Sequence, residues 1–119
     1  MADHGLFIGW GAPVRGREQA SLQVFGEAVD FFQGLQQRGE IENIEPVFLE
    51  PHGGDLNGFF LIRGEAESLA KLRNDDAFNR LLTRAAMVVE SLGVVGASLG
   101  DRVGFQTGLF QEAAQELGS

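Results

Sequence analysis

The chain has no cysteine, no tyrosine, one tryptophan, three prolines and two histidines among 119 residues. Without cysteine there is no disulfide, no thiolate nucleophile and no cysteine metal site, though that absence alone says little about compartment. With tyrosine missing as well, His4, His52 and the carboxylates are what remain as general bases. Basic residues are also scarce: nine Lys and Arg stand against seventeen Asp and Glu, a formal net charge of -8. That balance argues against nucleic acid or an anionic membrane as partner, since both call for a basic footprint. No apolar run reaches the roughly 18 residues of a membrane span, and no charged, apolar and small-residue leader opens the chain. The cytoplasm is the expected location.

What is present is an ordinary globular composition, 44% hydrophobic and 22% charged, in a chain long enough for one core and too short for two. A single domain over residues 1–119 is expected, with a core to 104 and a helical tail over 105–119. The chain repeats itself approximately, with a period of about fifty residues, each half reading as apolar strand, amphipathic helix, apolar strand. Residues 6–12, a helical stretch to about Gln37 and 44–50 make the first half. The second half is 59–63, a helical stretch to about Glu90 and 93–99.

In the first helical stretch Leu22, Phe25, Val29, Phe32 and Leu35 recur at spacings of three and four, which places them on one face. Pro13 and Gly16 mark the preceding turn, and Gly39 the C-terminal stop. The second stretch is interrupted: after Leu69 and Leu72, Asn74-Asp75-Asp76 offers a new N-cap before Phe78, Leu81, Leu82, Ala85 and Val89 resume the period. Pro46 removes a ladder donor from the second strand, which is therefore an edge strand or bulged.

A sheet with one wet face alternates apolar and polar residues, whereas Phe59-Phe60-Leu61-Ile62 and Leu6-Phe7-Ile8 are apolar on both sides. Two helices cover one face of a four-stranded sheet, so something else must bury the other. The candidates are a second copy, the amphipathic tail from Gln106 to Leu117, or an apolar ligand.

The order βαββαβ, the stretch Gly53-Gly54-Asp55-Leu56-Asn57-Gly58-Phe59-Phe60-Leu61-Ile62, and Ala66-Glu67-Ser68 with Asp75-Asp76-Ala77-Phe78 resemble the ferredoxin-like dimeric α+β barrel superfamily, in particular its YCII-related and small monooxygenase-like branches. The resemblance spans residues 5 to 103. It implies an α+β fold, an antiparallel four-stranded sheet with two helices on one face plus a C-terminal helix. It also implies a homodimer with facing sheets and a pocket between sheet and helices or inside the barrel. The Asn, Trp and His set of haem-degrading members is unmatched, because the first strand has no Asn and Trp10 falls on a different strand from theirs. His4 precedes its strand and does not match the YCII-like His and Asp pair.

Candidate chemistry is sparse. Gly96-Ala97-Ser98-Leu99-Gly100 has the G-x-S-x-G spacing of a nucleophile elbow, which needs a sharp strand-to-helix turn, but Asp101 to Gly104 reads as strand end and loop. Gly9-Trp10-Gly11 with Gly16 lacks dinucleotide spacing, and Arg15 and Arg17 near the helix N-terminus either hold a small carboxylate or phosphate or are solvated surface arginines. No cofactor or metal is expected. Glu50, His52 and Asp55 cluster around a glycine-rich turn, where they either supply three ligands to a divalent metal or simply belong to an exposed hairpin loop, the reading preferred. Arg63 ends an apolar strand on the face of Phe59 and Leu61, where it either pairs with Glu45 or Glu50 or orients an anionic ligand.

The leading expectation is therefore a small, largely apolar molecule with one acidic group, bound by Trp10, Phe59, Leu61 and Arg63. The alternatives are a cofactor-independent monooxygenase or isomerase with His52 or a desolvated Glu50 as base, and a structural or regulatory dimer without ligand.

Overall fold

The computed structural model describes residues 1–118. In chain order the elements are β1 (His4–Trp10), α1 (Glu18–Gln37), β2 (Asn43–Phe48), β3 (Gly58–Gly64), α2 (Ala66–Arg73), α3 (Asp76–Ala86), β4 (Gly93–Ser98) and α4 (Asp101–Glu116). The strands form one antiparallel sheet in the order β2-β3-β1-β4. This is the expected α+β arrangement. Pro46 sits in β2, an edge strand, opposite Phe60, as its missing N–H requires.

Local chemistry sets the helix ends. α1 stops in a Schellman motif: Gly39 takes φ +74, its N–H donates to the Gln36 carbonyl, and the Glu40 N–H donates to that of Leu35. The second helical stretch divides where Asp75 caps α3, its carboxylate accepting from the Phe78 N–H at 3.3 Å.

The core lies between the sheet and its helices. Leu6, Ile8, Phe60 and Ile62 project from the central strands against Val24, Ala28, Phe32 and Leu35 of α1, Leu69 and Leu72 of α2, and Phe78 and Leu81 of α3. The α1 face differs from the expectation at one end: Leu22 is 63% exposed, and Val24 and Ala28 take the buried positions. The helix axis is rotated so that the opposite edge of a broad apolar stripe meets the sheet.

Register divides the strand residues cleanly. Leu6, Ile8 and Trp10 pair with Ile62, Phe60 and Gly58 on the helix-covered face, while Phe7 pairs with Leu61 and Gly9 with Phe59 on the other. That second face carries Phe7, Phe59, Leu61 and Val95, with the Phe7 and Phe59 rings 4.9 Å apart, and no helix among the described residues covers it. α4 touches the chain along β4 and has no buried residue. It begins at Asp101, earlier than the sequence pattern placed it, because Gly100 adopts φ +52 and turns the chain straight from β4 into helix.

Candidate functional site

Where β1 and β2 end and β3 begins, the sheet and the N-terminal half of α1 enclose a cavity of about 320 Å³. Its wall is aromatic because residues two apart on a strand share a face: Trp10 and Phe60 rise from β1 and β3, Phe48 from β2, and Phe25 descends from α1. Phe25 stacks on Phe60 at 5.4 Å and 16°, Trp10 lies 5.0 Å from Phe60, and Phe48 lies 5.0 Å from Phe25. Leu82, Ala85 and Val89 close the side nearest α3. Arg84 of α3 clamps α1 by donating to both carboxylate oxygens of Glu27, at 2.9 and 2.8 Å. Phe48 and Leu22, 69% and 63% exposed, form the apolar rim.

Polar groups at the cavity are few, and no Asp, Glu, Lys or Arg lines it. The Ser21 hydroxyl is spent on the Glu18 carbonyl. The backbone of Asn57 is fixed by its N–H to Trp10 and by the Leu49 N–H it accepts. Its side-chain amide and the Trp10 indole N–H have no hydrogen-bond partner among the described residues. Asn57 is exposed and Trp10 half-buried, so both donors stand open at the cavity mouth to water or a ligand.

The four residues expected to line one pocket do not meet. Phe59, Leu61 and Arg63 lie together on the uncovered sheet face, and Trp10 lies on the helix side, with the sheet between them. Period-two alternation is the cause: Trp10 opposes Gly58, one residue out of phase with Phe59. Arg63 pairs with neither Glu45 nor Glu50. Its Nη1 donates to the Ala2 carbonyl at 2.8 Å, while the Ala2 N–H donates to Glu42 Oε2 at 2.6 Å, so the N-terminal segment is stitched to β3. His4, expected to precede its strand, instead opens β1 between Gly64 and Ser98.

The proposed bases also lie elsewhere. His52 is exposed in the β2–β3 loop, where Nε2 donates to the Leu56 carbonyl at 2.7 Å and Nδ1 accepts from the Gly54 N–H at 3.3 Å. Both ring nitrogens hold the loop in shape. Neither His52 nor Glu50 lines the cavity, and no three His, Asp or Glu side chains among the described residues converge as a metal cluster. Ser98 of the G-x-S-x-G spacing does precede a helix directly, contrary to expectation, yet it belongs to β4 as the partner of His4. Gly100, not the serine, takes the strained turn, so the hydroxyl is not presented at an elbow.

Sequence reasoning missed Phe25 and Phe48 as cavity residues. The signal for Phe48 was its place two residues from Pro46 on an edge strand. For Phe25 there was only its membership of the helical stripe.

No helix among the described residues is long and apolar enough to cross a membrane. No protein-family profile and no curated protein matches the sequence. Among solved structures, the chain is similar to a dimeric protein of unknown function and ferredoxin-like fold from Bacteroides fragilis NCTC 9343, with a TM-score of 0.57 and 14% identity over 81% of this chain and 96% of that one. At that identity the likeness carries the architecture alone: the chain has a ferredoxin-like α+β fold.

Proposed function

We propose that the protein binds a small, largely apolar molecule in the cavity between sheet and helices, and that it does so as a homodimer. The cavity carries the reading. Its volume falls at the lower end of the range for small-molecule sites, which run from about 300 to 1,000 Å³, and such sites pair apolar walls with a few polar groups. Here the walls are Trp10, Phe25, Phe48 and Phe60, and the open polar groups are Asn57 and the Trp10 indole. With no basic residue on the wall, the ligand favoured is neutral, with one hydrogen-bonding group, and not the acid that Arg63 suggested.

The dimer is supported by the uncovered sheet face. A large apolar patch on a soluble protein marks an interaction surface, and the structural relative from Bacteroides fragilis is described as dimeric. Four strands of six or seven residues present a face of roughly 19 by 21 Å. That is about half of the roughly 800 Å² per partner of a standard interface. The apolar residues of α4, Val103, Phe105, Leu109 and Phe110, are 46% to 77% exposed and supply further area.

The test uses the single tryptophan as reporter. On titration with 1-aminoanthracene, excitation of Trp10 should produce energy transfer to the probe that saturates. Ala85→Phe, which fills the cavity from α3, should abolish saturable transfer while leaving the far-UV circular dichroism intact. Absence of transfer in the parent protein, or equal transfer in the filled variant, would sink the proposal.

A further inference from the structure

A second cavity, of about 330 Å³, lies at the opposite end of β1, between α2, the edge strand β4 and the start of α4. His4 and Trp10 stand six residue steps apart along β1, roughly 20 Å, so the two cavities are distinct. The floor is apolar, with Leu6 and Leu69, but the rim has a composition unlike the rest of the chain. Arg73 at the end of α2, Arg102 in the first turn of α4, His4 and Ser98 all line it, and no Asp or Glu does.

Two arginines of the chain are neutralised by carboxylates, Arg38 by Glu40 and Arg84 by Glu27. The guanidinium groups of Arg73 and Arg102 take part in none of the salt bridges among the described residues, and neither donates a hydrogen bond to a protein acceptor there. Arg102 is held over the Phe105 ring at 5.1 Å, which fixes its stem and leaves the planar fork of donors available. His4 Nδ1 lies 3.0 Å from the Asp3 carboxylate, which leaves Nε2 as the ring's other hydrogen-bonding atom. The Ser98 hydroxyl, on the residue paired with His4 across the β1–β4 ladder, has no hydrogen-bond partner among the described residues.

We propose that this groove binds a small oxyanion, a carboxylate or phosphate monoester, with a short apolar body resting on Leu6 and Leu69. Arg73 and Arg102 supply the charge and forked donors, and His4 and Ser98 supply the shorter-reach hydrogen bonds. Guanidinium groups are suited to both classes of oxyanion because their parallel N–H donors match two oxygens at once. The site is independent of the aromatic cavity and does not rest on the function proposed for it.

Phenyl phosphate and benzoate are the probes, each titrated into the full-length protein and followed in amide ¹H–¹⁵N spectra. Saturable shifts confined to residues near His4, α2 and the β4–α4 junction are expected with at least one probe. Response to both supports a general oxyanion site, and response to phenyl phosphate alone supports a phosphate site. Arg73→Gln and Arg102→Gln should each weaken binding about tenfold or more, whereas Arg15→Gln, remote from the groove, should not. Both arginines are at least partly solvent-exposed, so the variants should fold, which circular dichroism would check. No saturable shift below about 10 mM, or binding indifferent to both groove arginines, would overturn the assignment.

Discussion

A single hydrogen atom at position 58 shapes the aromatic cavity. Gly58 lies under the Trp10 indole, and a Cβ there would stand 2.8 Å from Trp10 Cζ2 and 2.7 Å from the Val47 carbonyl oxygen. The backbone oxygen cannot yield without loosening β2, so the ring must move. Gly58→Ala is expected to destabilise by about 1–3 kcal/mol through overpacking and to shift the Trp10 emission maximum; urea unfolding followed by fluorescence reads both. Unchanged emission with unchanged stability would mean that the indole does not sit on the glycine. The same scale shows where side-chain identity alone misled. His52 and Arg63 are the residue types that bind and catalyse, yet each is committed to backbone groups, His52 to its own loop and Arg63 to Ala2.

At the scale of elements, the break between α2 and α3 is the feature that most affects the cavity wall. If the two were one helix, Leu82, Ala85 and Val89 would be aimed by the axis of α2. Asp75 redirects the chain, and α3 then lies along α1, joined to it by the Arg84–Glu27 pair. That exposed pair contributes roughly 0.2–1 kcal/mol, so the cap and the burial of Phe78 and Leu81 dominate. Asp75→Ala should lower stability by about 1 kcal/mol, and Asp75→Asn, which also caps well, should recover most of it in urea denaturation. An equal loss in both variants would place the effect outside the cap. The helical break, the glycine stop of α1 and the edge position of β2 were all legible in the sequence, because Asn74-Asp75-Asp76, Gly39 and Pro46 act within a few residues of themselves. The start of α4 was not, since Asp101 to Gly104 carries no strong helical period and the positive φ of Gly100 decides it.

At the scale of the whole molecule, α4 and the bare sheet face belong to one question. The radius of gyration is 16.4 Å, against about 13.5 Å for a compact chain of this length. The excess is consistent with α4, about 24 Å long, resting on β4 with no buried residue of its own. Both features leave Phe and Leu side chains exposed, at a cost of about 25 cal/mol for each Å² left in water. Phe59→Glu places a charge at the centre of the uncovered face without touching the core between sheet and helices. It should convert a dimer of the parent protein to monomer in native mass spectrometry, with the far-UV spectrum preserved. A parent protein that is monomeric at micromolar concentration, or a Phe59→Glu dimer, would remove the sheet from the interface.

The alternation of strand residues, the helical stripes and the two-sided apolarity of β1 and β3 are local or nearly local properties, and the sequence by itself determined them. They led to the α+β order and to the need for a second layer over the sheet. Which residues meet in a site is a different matter, because it depends on strand register, and a shift of one residue moves a side chain through the sheet. Trp10 is separated from Phe59, Leu61 and Arg63 for that reason alone. The tertiary structure likewise decided that Phe25 and Phe48 meet Trp10, and that Arg73 and Arg102, twenty-nine positions apart in sequence, share one groove. Those pairings cross between elements, and no periodicity within a single element encodes them.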